Sequence, residues 1–115
     1  MSDNGQNGKI VLAVDLGTTS AKVLAINAGS LTEGGQAVIA ARGEREYPLL
    51  SQEPGYAEQD PDRIAEAAAE AVREAVDGAG CGPEGVLAVA FSTAMHSLIV
   101  TDGDGKALTR VLTWA

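Results

Sequence analysis

Cysteine, aromatic residues and basic residues are all scarce in this chain, and each shortage excludes something. Cys81 is the only cysteine, so no disulfide can form within the chain and a reduced, cytoplasmic setting is favoured. Only 3% of the residues are aromatic, so a core must be built mostly from Ala, Val, Leu and Ile. With 16 acidic against 8 basic residues and a net charge of −8, neither nucleic acid nor an anionic membrane is expected as the main partner.

Long apolar runs are also missing. No segment approaches the roughly 18 apolar residues of a membrane span, so we expect no membrane partner. Residues 1–8 are polar and glycine-rich, with neither the basic start nor the apolar stretch of a signal peptide, and they read as a disordered tail. The remaining residues, 9–115, suffice for one domain, since 45% of the 115 residues are hydrophobic.

The first informative stretch joins two apolar runs, residues 10–14 and 23–26, which predict buried strands. Between them stand Asp15, Gly17 and three consecutive hydroxyl residues, so an acid and several donors lie at a tight corner. Such a corner suits a polyphosphate with Mg²⁺, because the metal takes carboxylate oxygens while amides and hydroxyls hold phosphate. Gly-Thr-Thr-Ser is also ordinary turn composition, so a plain hairpin stays open.

A third strand and a helix follow. Residues 37–47 turn from apolar to charged, as at a sheet edge, and complete an antiparallel meander. Asp60 and Pro61 are typical of a helix start, and the periodicity over residues 64–76 predicts an amphipathic helix. Its apolar stripe comprises Ile64, Ala68, Val72 and Val76, with Ala65, Ala71 and Ala75 beside it.

Residues 86–91 form a second strongly apolar run, which predicts a buried strand parallel to an earlier one after the helical crossover. Residues 98–101 and 108–114 then predict a hairpin. The Asp-Gly-Asp-Gly turn between them weakly suggests a calcium loop, but Lys106 occupies a ligand position, so a plain turn is favoured. The expected class is α/β with a mixed sheet, in the order β-β-β-α-β plus a hairpin.

Three stretches together give a resemblance: residues 15–22 (DLGTTSAK), 55–61 (GYAEQDP) and 91–97 (FSTAMHS). They resemble the N-terminal domain of the FGGY family of carbohydrate kinases, which has the ribonuclease H-like fold of actin and hexokinase. The final residues, 112–115 (LTWA), resemble the start of a fourth family stretch. The Ala-Met-His-Ser version of the third stretch is most similar to gluconate kinases, and xylulose or another pentulose or polyol is the runner-up.

The resemblance implies transfer of the ATP γ-phosphoryl group to a sugar or sugar-acid hydroxyl, with Mg²⁺. It assigns Asp15 to the metal, and it assigns ATP phosphates to Asp15, Gly17, Thr18, Thr19 and Lys22. The sugar would contact Met95, His96 and Trp114. From the residues alone, a structural role is favoured for His96, the only histidine, and for Trp114.

The family's catalytic Asp belongs to a second domain, so the resemblance places no catalytic base within these residues and puts the expected base beyond Ala115. We therefore expect residues 9–115 to be an incomplete N-terminal domain that partly exposes one sheet face, needs its C-terminal domain as a partner and is silent alone. A homodimer is compatible with this interpretation. A non-catalytic, actin-like interaction module is the alternative from another class.

Overall fold

The computed structural model describes residues 8–32, 34–50, 54, 57–94 and 97–113. The described part contains one long helix, two short 3₁₀ turns and strands in two sheets. In chain order the elements are β1 (Ile10–Leu16), β2 (Ser20–Asn27), β3 (Ile39–Glu46), β4 (Glu58–Gln59), α1 (Pro61–Ala79), β5 (Val86–Thr93) and β6 (Val111–Leu112).

The larger sheet has the strand order β3-β2-β1-β5. Strands β1, β2 and β3 form the predicted antiparallel meander, and β5 lies parallel to β1 after the helical crossover. A parallel neighbour needs such a long connection, because the chain must return to the same end of the sheet. The mixed sheet therefore confirms the expected α/β class, whereas the short strand β4 before α1 was not predicted.

Helix α1 begins where the sequence predicts. The Asp60 side chain accepts a hydrogen bond from the Asp62 amide at 2.9 Å, and Pro61 takes the first helical position, where its missing N–H costs nothing. The helix ends at Gly80, whose φ of 73° is the left-handed conformation that glycine adopts most easily.

The core lies between α1 and one face of the sheet. Alternate residues of the two central strands point into it because side chains in a strand alternate between faces. The buried members are Ile10, Leu12 and Val14 of β1, Ala21, Val23 and Ala25 of β2, Tyr47, and Ala67, Ala71 and Ala75 of α1. Ala65 was predicted beside the apolar stripe but is exposed, since Ala67, four residues before Ala71, occupies the face turned to the sheet.

The packing of α1 against β3 is close enough to need a glycine. A Cβ at Gly43 would lie 2.0 Å from the Ala71 carbonyl oxygen, inside any allowed contact distance. Small residues on both elements therefore allow their backbones to touch.

The prediction of a buried strand at residues 86–91 was right about the strand and wrong about its burial. Seven of the eight residues of β5 are exposed, and Phe91 keeps 67% of its accessible surface. The reason is that α1 packs mainly on β3, β2 and β1, and among the described elements only β1 contacts β5 extensively. The expected apolar surface therefore lies at this edge of the sheet.

The smaller sheet pairs β4 with β6, and Leu98 bridges Leu112 within the predicted hairpin. At the hairpin tip, Asp102 Oδ1 accepts hydrogen bonds from the amides of Asp104 and Lys106, both at 2.9 Å. This carboxylate is thus engaged in closing the loop, as in an ordinary turn. Within the described ranges, no helix is both long and apolar enough to cross a membrane.

Candidate functional site

The turn between β1 and β2 occupies the corner singled out in the sequence. Gly17 and Ser20 face each other, and the Gly17 amide donates to the Ser20 carbonyl at 2.9 Å. Thr18 and Thr19 form the tip, where Thr19 is exposed. Two apolar strands thus end in a two-residue loop that carries hydroxyl groups at the surface.

All four carbonyl groups of this turn accept hydrogen bonds. The Tyr47 hydroxyl lies within hydrogen-bonding distance of the Gly17 and Ser20 carbonyls, and the Tyr47 amide donates to the Thr19 carbonyl at 2.9 Å. The Gln59 side-chain amide donates to the Thr18 carbonyl. Tyr47 and Gln59 are buried, with 4% and 3% of their surface exposed, so the turn rests on a rigid support.

This support decides where the amides of the turn point. In a planar trans peptide the N–H points opposite to the preceding C=O, and the described residues contain no cis peptide. The carbonyls of Gly17 and Thr18 point toward buried side chains, so the amides of Thr18 and Thr19 point away from the protein body. Successive outward amides in a turn are a recognised way to bind anions.

Gly17 leaves the space over the turn open. Its φ lies outside the left-handed region, and a Cβ there would meet only the Ser20 carbonyl at 3.4 Å, an ordinary contact distance. The described fold therefore does not require glycine at this position. Because Gly17 has no side chain, a ligand could come close to the backbone of the turn.

Asp15 and Lys22 lie directly opposite each other on β1 and β2, just before and after the turn. Both side chains are exposed on the sheet face away from α1, and neither belongs to an ion pair among the described residues. They line an open depression of about 400 Å³, and the residues that share it include Leu24, Arg42, Ala90 and Ser92. The turn thus carries a free carboxylate and a free ammonium group beside its outward amides.

Tyr47 remains a hydrogen-bond donor over a wide pH range. Burial, and secondly the negative charge of Asp15, raise the pKa of its hydroxyl above the ordinary value of 10.0. Both effects disfavour the phenolate. The hydroxyl that supports the turn is therefore protonated at neutral pH.

The charged groups fit a metal that arrives with a ligand better than a resident metal. Within the described residues, no group of three or more His, Cys, Asp or Glu side chains could hold an ion. Mg²⁺ commonly binds through one or two carboxylates and takes its other oxygens from water and phosphate. Asp15 alone suits that kind of site.

The structure brings together five of the residues predicted for the site, namely Asp15, Gly17, Thr18, Thr19 and Lys22. The three residues predicted for the sugar, Met95, His96 and Trp114, lie outside the described residues. So does Ala115, beyond which the resemblance puts the catalytic base. The sugar contacts and the position of the base therefore stay predictions.

Sequence reasoning missed one support of the turn and undervalued the other. Tyr47 was not singled out at all, and Gln59 appeared only within the family-like stretch of residues 55–61. The one available signal was the place of Gln59 in the stretch at residues 55–61 that resembles the family.

Three comparisons with known proteins show which family the chain resembles. Residues 10–115 match the sequence model of the FGGY family of carbohydrate kinases, N-terminal domain. A xylulose kinase of Staphylococcus epidermidis is 29% identical over 107 residues, and a glycerol kinase of Thermococcus kodakarensis is 30% identical over 106. In both comparisons the match covers 92% of this chain and 20% of the relative.

Among solved structures, the gluconate kinase from Lactobacillus acidophilus superposes with a TM-score of 0.74 at 31% identity. The superposition covers 92% of this chain and 20% of the kinase. The chain thus spans about a fifth of the length of the relatives that it matches.

Proposed function

Because the chain belongs to the FGGY family of carbohydrate kinases, as the N-terminal domain, we propose that it forms the phosphate-binding part of an ATP-dependent kinase. The reaction would transfer the γ-phosphoryl group to a hydroxyl of a sugar or sugar acid. One observation carries this proposal: all four turn carbonyls are engaged, which leaves the amides of Thr18 and Thr19 directed outward beside Asp15 and Lys22.

Each residue has a separate task in this proposal. Phosphoryl transfer is mostly positioning and charge neutralisation, so it needs donors, a cation and a metal ligand in fixed places. The amides of Thr18 and Thr19 would bind phosphate oxygens, and Lys22 would add a positive charge. Asp15 would hold Mg²⁺, which when bound neutralises negative charge on the phosphates. The open space above Gly17 would let the phosphates reach the backbone.

We propose gluconate as the acceptor, with xylulose as the second candidate. The support for gluconate is the Ala-Met-His-Ser sequence at residues 94–97, which resembles gluconate kinases. The likeness to the S. epidermidis xylulose kinase supports the second candidate. Since the expected catalytic Asp lies in another domain, we expect this chain to bind phosphate without turning over an acceptor.

The first experiment is a titration of the ¹⁵N-labelled chain with Mg·ATP, followed by nuclear magnetic resonance. We expect saturable shifts of the Thr18 and Thr19 amides, stronger with Mg²⁺ than without it. Asp15→Asn should remove most of this Mg²⁺ dependence. Asp104→Asn is the matched control, because it removes the same charge from an exposed turn in the hairpin and should change nothing.

Shifts confined to residues outside the turn would contradict the proposed phosphate site. For the acceptor, parallel titrations with gluconate, xylulose and glycerol should show the strongest response to gluconate in the amide of Ser97. A stronger response to xylulose would reverse the order of the two candidates.

A further inference from the structure

Gln59 is the only polar or charged side chain, tyrosine apart, that is buried among the described residues. Burying an amide costs free energy unless its hydrogen bonds are made, so such a residue needs a reason. Its side chain donates to the Thr18 carbonyl, 41 positions away in the sequence. The buried side-chain amide therefore bonds to the turn between β1 and β2 and not to its own strand, β4.

The backbone around Gln59 is fixed on several sides. Gln59 pairs with Val111 of β6, and the neighbouring Glu58 exchanges two backbone hydrogen bonds with Leu50, at 2.7 and 2.8 Å. The following residue, Asp60, caps helix α1. A side chain that projects from such a support can hold its partner in one orientation.

We infer that Gln59 is a positioning residue for phosphate binding, an inference that rests on the proposed function. It acts on the peptide between Thr18 and Thr19, the central peptide of the turn. Turn types I and II differ mainly in which way this peptide faces. A donor fixed beneath the Thr18 carbonyl selects the orientation in which the Thr19 amide points outward, toward the ligand. Without that donor the peptide can rotate and present its carbonyl, which repels phosphate.

The Gln59 contact is separate from that of Tyr47. The Tyr47 hydroxyl holds the Gly17 and Ser20 carbonyls and its amide holds the Thr19 carbonyl, so these contacts fix the two flanking peptides of the turn. Among the described residues, only Gln59 donates a hydrogen bond to the central peptide, at the Thr18 carbonyl. Loss of Gln59 should therefore leave the hairpin formed while it changes the direction of the Thr19 amide.

The test uses Gln59→Glu, because a glutamate can donate only when it is protonated. We expect this variant to bind Mg·ATP at least about tenfold more weakly than wild type at pH 8, the equivalent of one well-formed hydrogen bond. The ratio of the two affinities should approach one as the pH falls and the carboxyl group gains its proton. Taking the ratio at each pH removes the effect of the nucleotide's own titration.

Two further variants complete the design. Gln36→Glu makes the same chemical change in an exposed loop, and its affinity ratio should stay near one at every pH. Gln59→Met keeps the length of the side chain but has no donor, so it should bind weakly with no recovery at low pH. Circular dichroism and the amide shifts of β1 and β2 show whether each variant is folded.

The outcomes separate the inference from the proposed function. If wild type shows no shifts at Thr18 and Thr19, the phosphate site is wrong and the role of Gln59 falls with it. If wild type binds and folded Gln59→Met binds equally well, only the role of Gln59 is overturned. If Gln59→Met fails to fold, the pH dependence of the folded Gln59→Glu variant decides, and a ratio that does not change with pH overturns the inference.

Discussion

At the scale of single residues, the turn between β1 and β2 depends on the buried side chains of Tyr47 and Gln59. The Tyr47 hydroxyl lies beneath the turn, close enough to Asp15 for the carboxylate to raise its pKa. Tyr47 therefore supports the turn, and its pKa depends on the charge of Asp15, the proposed metal ligand.

Tyr47→Phe removes the hydroxyl and should lower the free energy of unfolding by about 1–3 kcal/mol at pH 8, because buried carbonyls lose a donor. The difference should depend on pH. The folded-state pKa of Tyr47 is raised above the unfolded value, so the stability from its neutral form is fully present below pH 10. This contribution is lost as the pH rises through the folded pKa, and wild type and variant should converge.

Urea unfolding of both proteins between pH 8 and pH 11 measures this convergence. Titration of lysines acts on both proteins alike, so their difference isolates Tyr47. A difference that stays constant up to pH 11 would show that the folded and unfolded pKa values are the same.

At the scale of elements, the contact between α1 and β3 sets the geometry of the core. The helix lies against the sheet through Ala67, Ala71 and Ala75, and Gly43 lets the Ala71 backbone approach. Larger residues on either side would push the helix outward. Since Gln59 directly precedes the capping residue of α1, a shift of the helix would also reach the support of the turn.

Gly43→Ala should destabilise the chain by about 1–3 kcal/mol or more, since the atoms in the way belong to backbone and cannot rotate aside. Gly103→Ala is the control. Nothing lies within 4 Å of a Cβ at that position and its φ is outside the left-handed region, so the change should be within about 0.5 kcal/mol. Midpoints of urea unfolding compare the two, and equal midpoints would refute the close contact.

Elements with local signals were predictable from the sequence, and long-range contacts were not. Asp60 and Pro61 predict the start of α1 correctly, because helix capping involves only residues that are close in the sequence. The apolar run of β5 predicts a strand, but the run does not say which element covers it, so its burial was predicted wrongly. The hydrogen bonds of Tyr47 and Gln59 join residues 30 and 41 positions apart, and no sequence periodicity pairs residues at such a separation.

At the scale of the whole molecule, protection from solvent is uneven across the larger sheet. Strands β1 and β2 are central and covered by α1, whereas β5 is an edge strand paired only with β1 among the described strands. In a strand paired on one side, about half of the amides face a partner and half face solvent.

Hydrogen–deuterium exchange should therefore be slowest in β1 and β2, and it should alternate along β5 between protected and unprotected amides. The experiment follows individual amides in the labelled chain at low concentration. Uniform protection along β5 would mean that its outer edge is covered in solution. Repeating the measurement at several concentrations would then show whether a second copy covers it.

The strand order also affects the order in which the strands pair during folding. The pairs β1–β2 and β2–β3 join neighbours in the sequence, while β1 pairs with β5 only after the whole of α1 has been added. Contacts between distant parts of a chain close large loops and form slowly. During synthesis, the meander and Tyr47, one support of the turn, emerge from the ribosome before β5 does. We therefore expect the turn to take shape early, on a sheet that is still one strand short.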